Sequence, residues 1–171
     1  MRSTKALDFS EKGELSLRTI GVVRSPFQVH EGTPRQPGTG RIMDGEIRLR
    51  PGLQNALKDL AGFSHIWVLF WFHHSRGWNS QVVPPRDVEK RGLFATRAPH
   101  RPNPIGLSVV QLLQVQGLMV RIRGLDMLDG TPVLDIKPYI PYSDAIPSAR
   151  AGWVDALGEN PGPDHRLAFD G

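Results

Sequence analysis

The chain has 171 residues, 39% hydrophobic and 22% charged, which fits one globular domain large enough to bury a core. It contains no cysteine, which excludes disulfides, thiolate zinc sites, a cysteine nucleophile and a cysteine-ligated iron–sulfur cluster. The net charge is +4, the first 15 residues are charged with no apolar h-region, and no apolar run approaches the roughly 18 residues of a membrane span, so the expectation is a cytoplasmic protein without a membrane partner.

Residues 1–15 read as a flexible N-terminal arm. Thr19 to Arg24 reads as a short strand that enters the Ser25-Pro26 turn, and Glu31 to Gly40, rich in glycine and proline, as a loop. Glu46 to Arg50 alternates, with Ile47 and Leu49 on one side. Pro51 suits the first turn of a helix in which Leu53, Ala56, Leu57 and Leu60 recur at helical spacing, and Gly62 offers a stop. The apolar run from Ile66 to Phe72, with Trp67 and Trp71 in it, predicts a strand buried on both faces. Leu107 to Val115 and Met119 to Leu128 predict further strands. Asp129-Gly130 between apolar runs predicts a hairpin turn. The strand after it alternates, with Asp135, Lys137 and Tyr139 on one face and Leu134, Ile136 and Ile140 on the other. Residues 149–171 read as a Pro/Gly-rich tail with one short helical turn around Trp153 to Leu157.

Close-spaced strands, one or two short helices and no βαβ alternation predict a mainly β fold, a single small antiparallel β-barrel-like domain over residues 16–148. Gly38-Thr39-Gly40 has Met43 where a dinucleotide fingerprint needs its third glycine, and no phosphate-cradling Gly-Lys-Ser/Thr occurs. A nucleoside ligand would therefore be bound in some other way.

The most informative stretch runs from Gly92 to Ser108. Between Arg97 and Pro104 it packs two arginines, a histidine, an asparagine and three prolines. Pro99, Pro102 and Pro104 fix φ and restrain the residues before them, so the loop is stiff. It is a good mount for Arg97, His100, Arg101 and Asn103 toward a polar or anionic ligand; a proline-rich turn between strands is the plainer reading. Arg76, Arg86, Lys90, Arg91, Arg97 and Arg101 lie within 26 residues that hold only Asp87 and Glu89 as acids. That local excess suits a phosphate-bearing partner.

Three blocks carry a resemblance to a known family: Phe94-Ala95-Thr96-Arg97, Arg101-Pro102-Asn103-Pro104-Ile105-Gly106, and Asp129-Gly130-Thr131-Pro132 with Asp135-Ile136-Lys137-Pro138-Tyr139. Gly21 to Phe27, Pro34-Arg35-Gln36 and Phe63 to Leu69 add earlier matches. The chain resembles the TsaA-like (TrmO) family, whose tRNA-modifying members use S-adenosylmethionine to methylate threonylcarbamoyladenosine next to the anticodon. The resemblance implies a small β-barrel, S-adenosylmethionine as cofactor, tRNA as partner and a homodimer. It implies cofactor contacts at Pro34, Arg35, Gln36, His73, His74, Arg97, Leu107, Asp135, Ile136, Lys137 and Pro138.

Methyl transfer from a sulfonium needs the methyl carbon held about 3 Å from its nucleophile with water kept out, and no covalent intermediate. No catalytic residue stands out; Asp126, Asp129 and Asp135 are candidates to orient or accept a proton from an exocyclic amine. No metal is expected, because His65, His73 and His74 lack helical ligand spacing and an acidic partner. Ala98 stands where many relatives have serine. The residues after Arg150 are too few for the second domain of the longer family members, so a methyltransferase for another, small-molecule substrate and a non-catalytic S-adenosylmethionine-binding module stay open.

Overall fold

The computed structural model describes residues 16–29, 33, 43–85 and 87–157. Six strands close into a barrel: β1 (Gly21–Arg24), β2 (Asp44–Leu49), β3 (His65–Trp71), β6 (Ile105–Gln116), β7 (Met119–Arg123) and β8 (Pro132–Pro138). Around the barrel the order is β1, β2, β7, β6, β3, β8 and back to β1, and every neighbour is antiparallel. β4 (Gln81–Val82) and β5 (Arg91–Gly92) form a separate two-stranded ribbon. One short helix, α1 (Pro141–Asp144), follows β8. The mainly β, barrel-like expectation is met.

Period-2 alternation builds the core. Val23, Ile47, Ile66, Val68, Val110, Val120, Ile122 and Val133 turn inward and are closed off from water. Gly106 lies opposite Phe70 in the ladder, and a Cβ there would run into the Phe70 ring, so glycine is what lets the ring lie over β6. The strand directions bring the C-terminal ends of β1, β3 and β7 and the N-terminal ends of β2, β6 and β8 to one end of the barrel. The other end has the tight turn at Gly117, whose φ of +59° favours glycine, and the β2–β3 connection.

Five local expectations need correction. The helix after Pro51 is two separate 3₁₀ turns, Gln54–Leu57 and Leu60–Gly62. Asp59 between them sits at φ +65°, outside helical space, while Leu53, Leu57 and Leu60 still reach the core. β3 is buried on one face only: Ile66, Val68 and Phe70 point in, and Trp71 is 45% exposed on the outside. The strand from Met119 stops at Arg123, and Asp129-Gly130 is not a hairpin between neighbouring strands, because β7 pairs with β2 and β6 while β8 pairs with β1 and β3. The Asp129 and Gly130 N–H groups instead donate to the carbonyls of Phe27 and Val23, at 2.7 and 2.9 Å. Finally, the β3–β8 register shifts between Leu69 and Phe70. This bulge gives the inner position to Val133 rather than Leu134, while Ile136 packs on the core as expected.

Candidate cofactor and substrate site

The stiff loop is tied down by more than its prolines. Leu93 is buried and opens a 3₁₀ turn, Leu93–Ala95, closed by the Thr96 N–H and Oγ1 on the Leu93 carbonyl at 3.1 and 2.8 Å. The Arg101 guanidinium donates to the carbonyls of Thr96, Leu93 and Ala98 at 3.0, 3.4 and 3.4 Å. The Trp153 indole N–H donates to the Ala95 carbonyl at 2.8 Å, and the Arg91 guanidinium lies over the Trp153 ring. Trp153 belongs to a 3₁₀ segment, Gly152–Leu157, where the sequence indicates a helical turn. The His100 Nδ1 accepts from the Arg76 N–H at 3.3 Å and lies 3.2 Å from the Ser75 Oγ, which joins the loop to the end of β3. Arg101 and His100 thus hold the loop, leaving Arg97 as the exposed arginine within it.

Several of the cofactor positions meet on the outer face of β6, β3 and β8. Leu69 stands opposite Leu107 on one side and Asp135 on the other. One step along, Trp67 stands between Val109 and Lys137. The Lys137 Nζ reaches the Asp135 carboxylate at 2.7 Å. Leu107 is 55% exposed, and with Trp71 and Ile105 it leaves this face apolar beside an acid and a base. His73 and His74 follow at the end of β3, their rings 3.9 Å apart. The Ile136 side chain packs against the core, so only its backbone could serve a ligand, and its N–H is held by the Asp135 carboxylate at 2.9 Å. Pro138, opposite Ile66, ends the strand. Pro34, Arg35 and Gln36 lie outside the described residues.

The three aspartates sit in different chemistry. The Asp129 carboxylate accepts the Ser25 N–H at 3.1 Å and faces Arg24 at 3.5 Å, which fixes the β1 end. Asp135 is occupied by Lys137 and its neighbouring N–H. Asp126 is partly buried: one oxygen accepts the Ser108 hydroxyl at 2.8 Å, and the other, Oδ1, is closed off from water with no hydrogen-bond partner among the described residues. Burial pushes the Asp126 carboxyl up to about 6, against the Ser108 hydrogen bond and the nearby charge of Arg97, which both favour the ion. Ser108 is the polar residue at a core position of β6, among Gly106, Val110 and Leu112, and that break in an apolar alternation is its sign in the sequence.

The basic region is smaller than its composition suggests. Arg91 is held by Asp87 at 2.7 Å and Glu89 at 3.0 Å, and Arg101 by carbonyls. Arg86 lies outside the described residues, while Arg76 and Lys90 are exposed. A shallow groove of about 440 Å³ between Arg24, Asp44, Glu46, Arg121 and Asp129 holds none of the cofactor positions. Among the described residues no three His, Asp or Glu side chains gather as a metal site, and no helix is long and apolar enough to cross a membrane.

Residues 22–145 match the family model of the tRNA-methyltransferase O N-terminal domain. The tRNA (adenine(37)-N6)-methyltransferase of Escherichia coli is 43% identical over 147 residues, covering 80% of this chain and 63% of that protein. A protein of Methanothermobacter thermautotrophicus named as a probable S-adenosyl-L-methionine-binding protein is 47% identical over 133 residues, 78% of this chain and 96% of the relative. A crystal structure of TrmO from Pseudomonas aeruginosa superposes with a TM-score of 0.72 at 42% identity, covering 85% of this chain and 64% of that one. The chain therefore spans about two thirds of the longer relatives and nearly all of the short archaeal one. With residues 22–145 matching the family model and the fold superposing on a TrmO structure at 42% identity, this chain belongs to the tRNA-methyltransferase O N-terminal domain family.

Proposed function

We propose that this chain transfers the methyl group of S-adenosylmethionine to N6 of threonylcarbamoyladenosine beside a tRNA anticodon, acting in the cytoplasm as a homodimer. The observation that carries the reading is the row Leu107, Leu69, Asp135 on the outer sheet face, in a family whose relatives are named as a probable S-adenosyl-L-methionine-binding protein and a tRNA (adenine(37)-N6)-methyltransferase. S-adenosylmethionine supplies an electrophilic methyl carbon: the N6 lone pair forms the new C–N bond, the C–S bond breaks with its electron pair on sulfur, and the N6 proton passes to water or a base.

The residues on the face fit such a ligand. Leu107 and Leu69 offer an apolar wall, the Asp135 carboxylate an acceptor for hydroxyl or ammonium groups, and Lys137 and Arg97 cations for a carboxylate. An N6 bearing a carbamoyl group gives up its proton readily, so a strong base is unnecessary. Asp126 acts behind Arg97: its buried carboxylate favours a guanidinium held in one place, which makes it a positioning residue. Pro34, Arg35, Gln36, His73, His74, Ile136 and Pro138 complete the proposed cofactor contacts. The exposed Trp71, Ile105 and Leu107 give a second copy of the chain an apolar surface to cover.

The small-molecule reading gains from one observation: Arg91 and Arg101 are engaged internally, which leaves fewer cations for phosphates. The test separates the readings. Purified protein, cofactor and tRNA bearing threonylcarbamoyladenosine are combined, and nucleosides are analysed by mass spectrometry. One added methyl on that nucleoside is expected, and Arg97→Ala should weaken cofactor binding by at least about tenfold, since a charge-assisted contact contributes on the order of 1.5–3 kcal/mol. Cofactor binding with no methylated nucleoside in any tRNA would favour the small-molecule or non-catalytic reading.

A further inference from the structure

We propose that Phe94 is a stacking platform for one base of the single-stranded anticodon loop, set beside the residues that receive the methyl donor; this rests on the tRNA reading above. Phe94 is 80% exposed on the 3₁₀ turn between buried Leu93 and Ala95. An apolar ring left in water gains nothing for the fold, and single exposed rings are common on surfaces. What distinguishes this one is its mount and its surroundings.

The mount is rigid. The Leu93 carbonyl behind the ring takes both the N–H and the hydroxyl of Thr96, and the Ala95 carbonyl in front takes the Trp153 indole. The Arg101 guanidinium, fixed by three carbonyls of the same loop, lies 5.6 Å from the centre of the Phe94 ring. Six hydrogen bonds within a few residues hold the turn under a side chain that buries little, so the ring is presented to solvent with little freedom left to lose on binding.

The surroundings are cationic. No acidic residue occurs between Gly92 and Ser108, and Lys90 and Arg97 flank the turn in sequence. A flat ring beside Arg101, in a loop that carries no acidic residue of its own, matches what unpaired nucleotides need: a π-face for the base and positive charge for the backbone. The transfer demands such a surface, because N6 of an adenine is reached by a donor only when that base and its neighbours leave their stack. Phe94 lies three residues before Arg97, so a base held there is close to the proposed donor site.

The experiment measures binding of the full chain to a labelled anticodon stem-loop RNA containing threonylcarbamoyladenosine, and to a set of the same RNA with one abasic loop position each. Phe94→Leu keeps an apolar side chain without the ring, and Phe94→Trp keeps a ring. Loss of stacking on one base should weaken Phe94→Leu binding roughly tenfold, while Phe94→Trp stays within twofold of wild type. The salt dependence should keep its slope, since the ring neutralises no phosphate. One abasic RNA should bind wild type and Phe94→Leu equally weakly, which identifies the stacked base. Binding by Phe94→Leu within twofold of wild type on every RNA overturns the proposal, as does a change of oligomeric state with RNA affinity intact, which would make Phe94 a contact with a second copy. If wild type methylates the tRNA and Phe94→Leu is indifferent, only the platform fails; if wild type neither binds nor methylates it, the tRNA reading fails and the platform with it.

Discussion

Ile66, Val68 and Phe70 turn inward from β3 and are sealed from water, while Trp67, Leu69 and Trp71, each one residue further on, remain partly in it. Both sets are large and apolar. The inner set meets Val110 and Val133 and closes the barrel; the outer set lies among Leu107, Val109, Asp135 and Lys137, and among the described residues Leu107 and Trp71 stay 55% and 45% exposed. The inner face stabilises the fold, and the outer face carries the proposed cofactor contacts.

The sharpest way to break that contrast is on the inside. Ile122 is fully buried on β7, opposite Gly45 and Leu112. Ile122→Ala should cost about 2–5 kcal/mol by urea denaturation, from lost burial and the cavity left behind. A cost under about 1 kcal/mol would mean that the barrel interior relaxes around the gap and that the inner face is not what holds the structure.

The contrast also explains what the sequence revealed and what it hid. Alternation made Ile47 and Leu49 of β2 and Ile136 of β8 readable as inner residues, because a period of two survives whatever packs outside. It misled at β3, where Trp67, Leu69 and Trp71 made an unbroken apolar run that looks the same whether the second face meets protein or a ligand. The bulge at Leu134 was invisible because it depends on how β3 and β8 register across the barrel. Asp129-Gly130 carried a true glycine signal, φ +75° at Gly130, yet the turn serves the β1 end through Val23 and Ser25. The helix after Pro51 had the right spacing for a buried stripe, but Asp59 breaks it and the leucines reach the core from 3₁₀ turns. Of the site, the loop and the Asp135–Lys137 face could be read from pattern and resemblance. The division of labour among the arginines could not: Arg97, Arg101 and Arg91 look alike in sequence, and only the fold ties Arg101 to carbonyls and Arg91 to Asp87, Glu89 and Trp153.

Asp126 blurs the line between the faces, since it is a charged group at the barrel end joined to a core serine. Its carboxyl is raised from 3.8 to about 6, mainly by burial, so folding favours the protonated form. That favourable contribution is complete below about pH 4 and is lost as pH rises through about 6. Wild type should therefore lose stability over this window relative to Asp126→Asn, which has no charge to desolvate, by at most about 3 kcal/mol. Chemical denaturation of both proteins at pH 4 and pH 8 gives the comparison. If the difference between them is the same at both values, Asp126 is better solvated than its burial implies, and its unpartnered oxygen has a partner in solution.

The smallest effect on the fold should come from the outer face, and there the contrast is tested most directly. Leu107 faces outward at 55% exposure, in a row with Leu69 and Asp135. Leu107→Gln keeps the length of the side chain, puts an amide where the alkyl wall stands, and leaves the β6 backbone pairing intact. Surface substitutions of this kind usually change stability by less than about 0.5 kcal/mol. Cofactor affinity, by calorimetry, and subunit association, by analytical ultracentrifugation, should both fall, because a polar group now has to be desolvated wherever a ligand or a second copy covers it. The two losses need not be equal, and their ratio tells which partner the leucine mainly meets. A variant that unfolds more easily by over 1 kcal/mol, with binding and association unchanged, would make Leu107 a structural residue and the outer face an ordinary surface of the barrel.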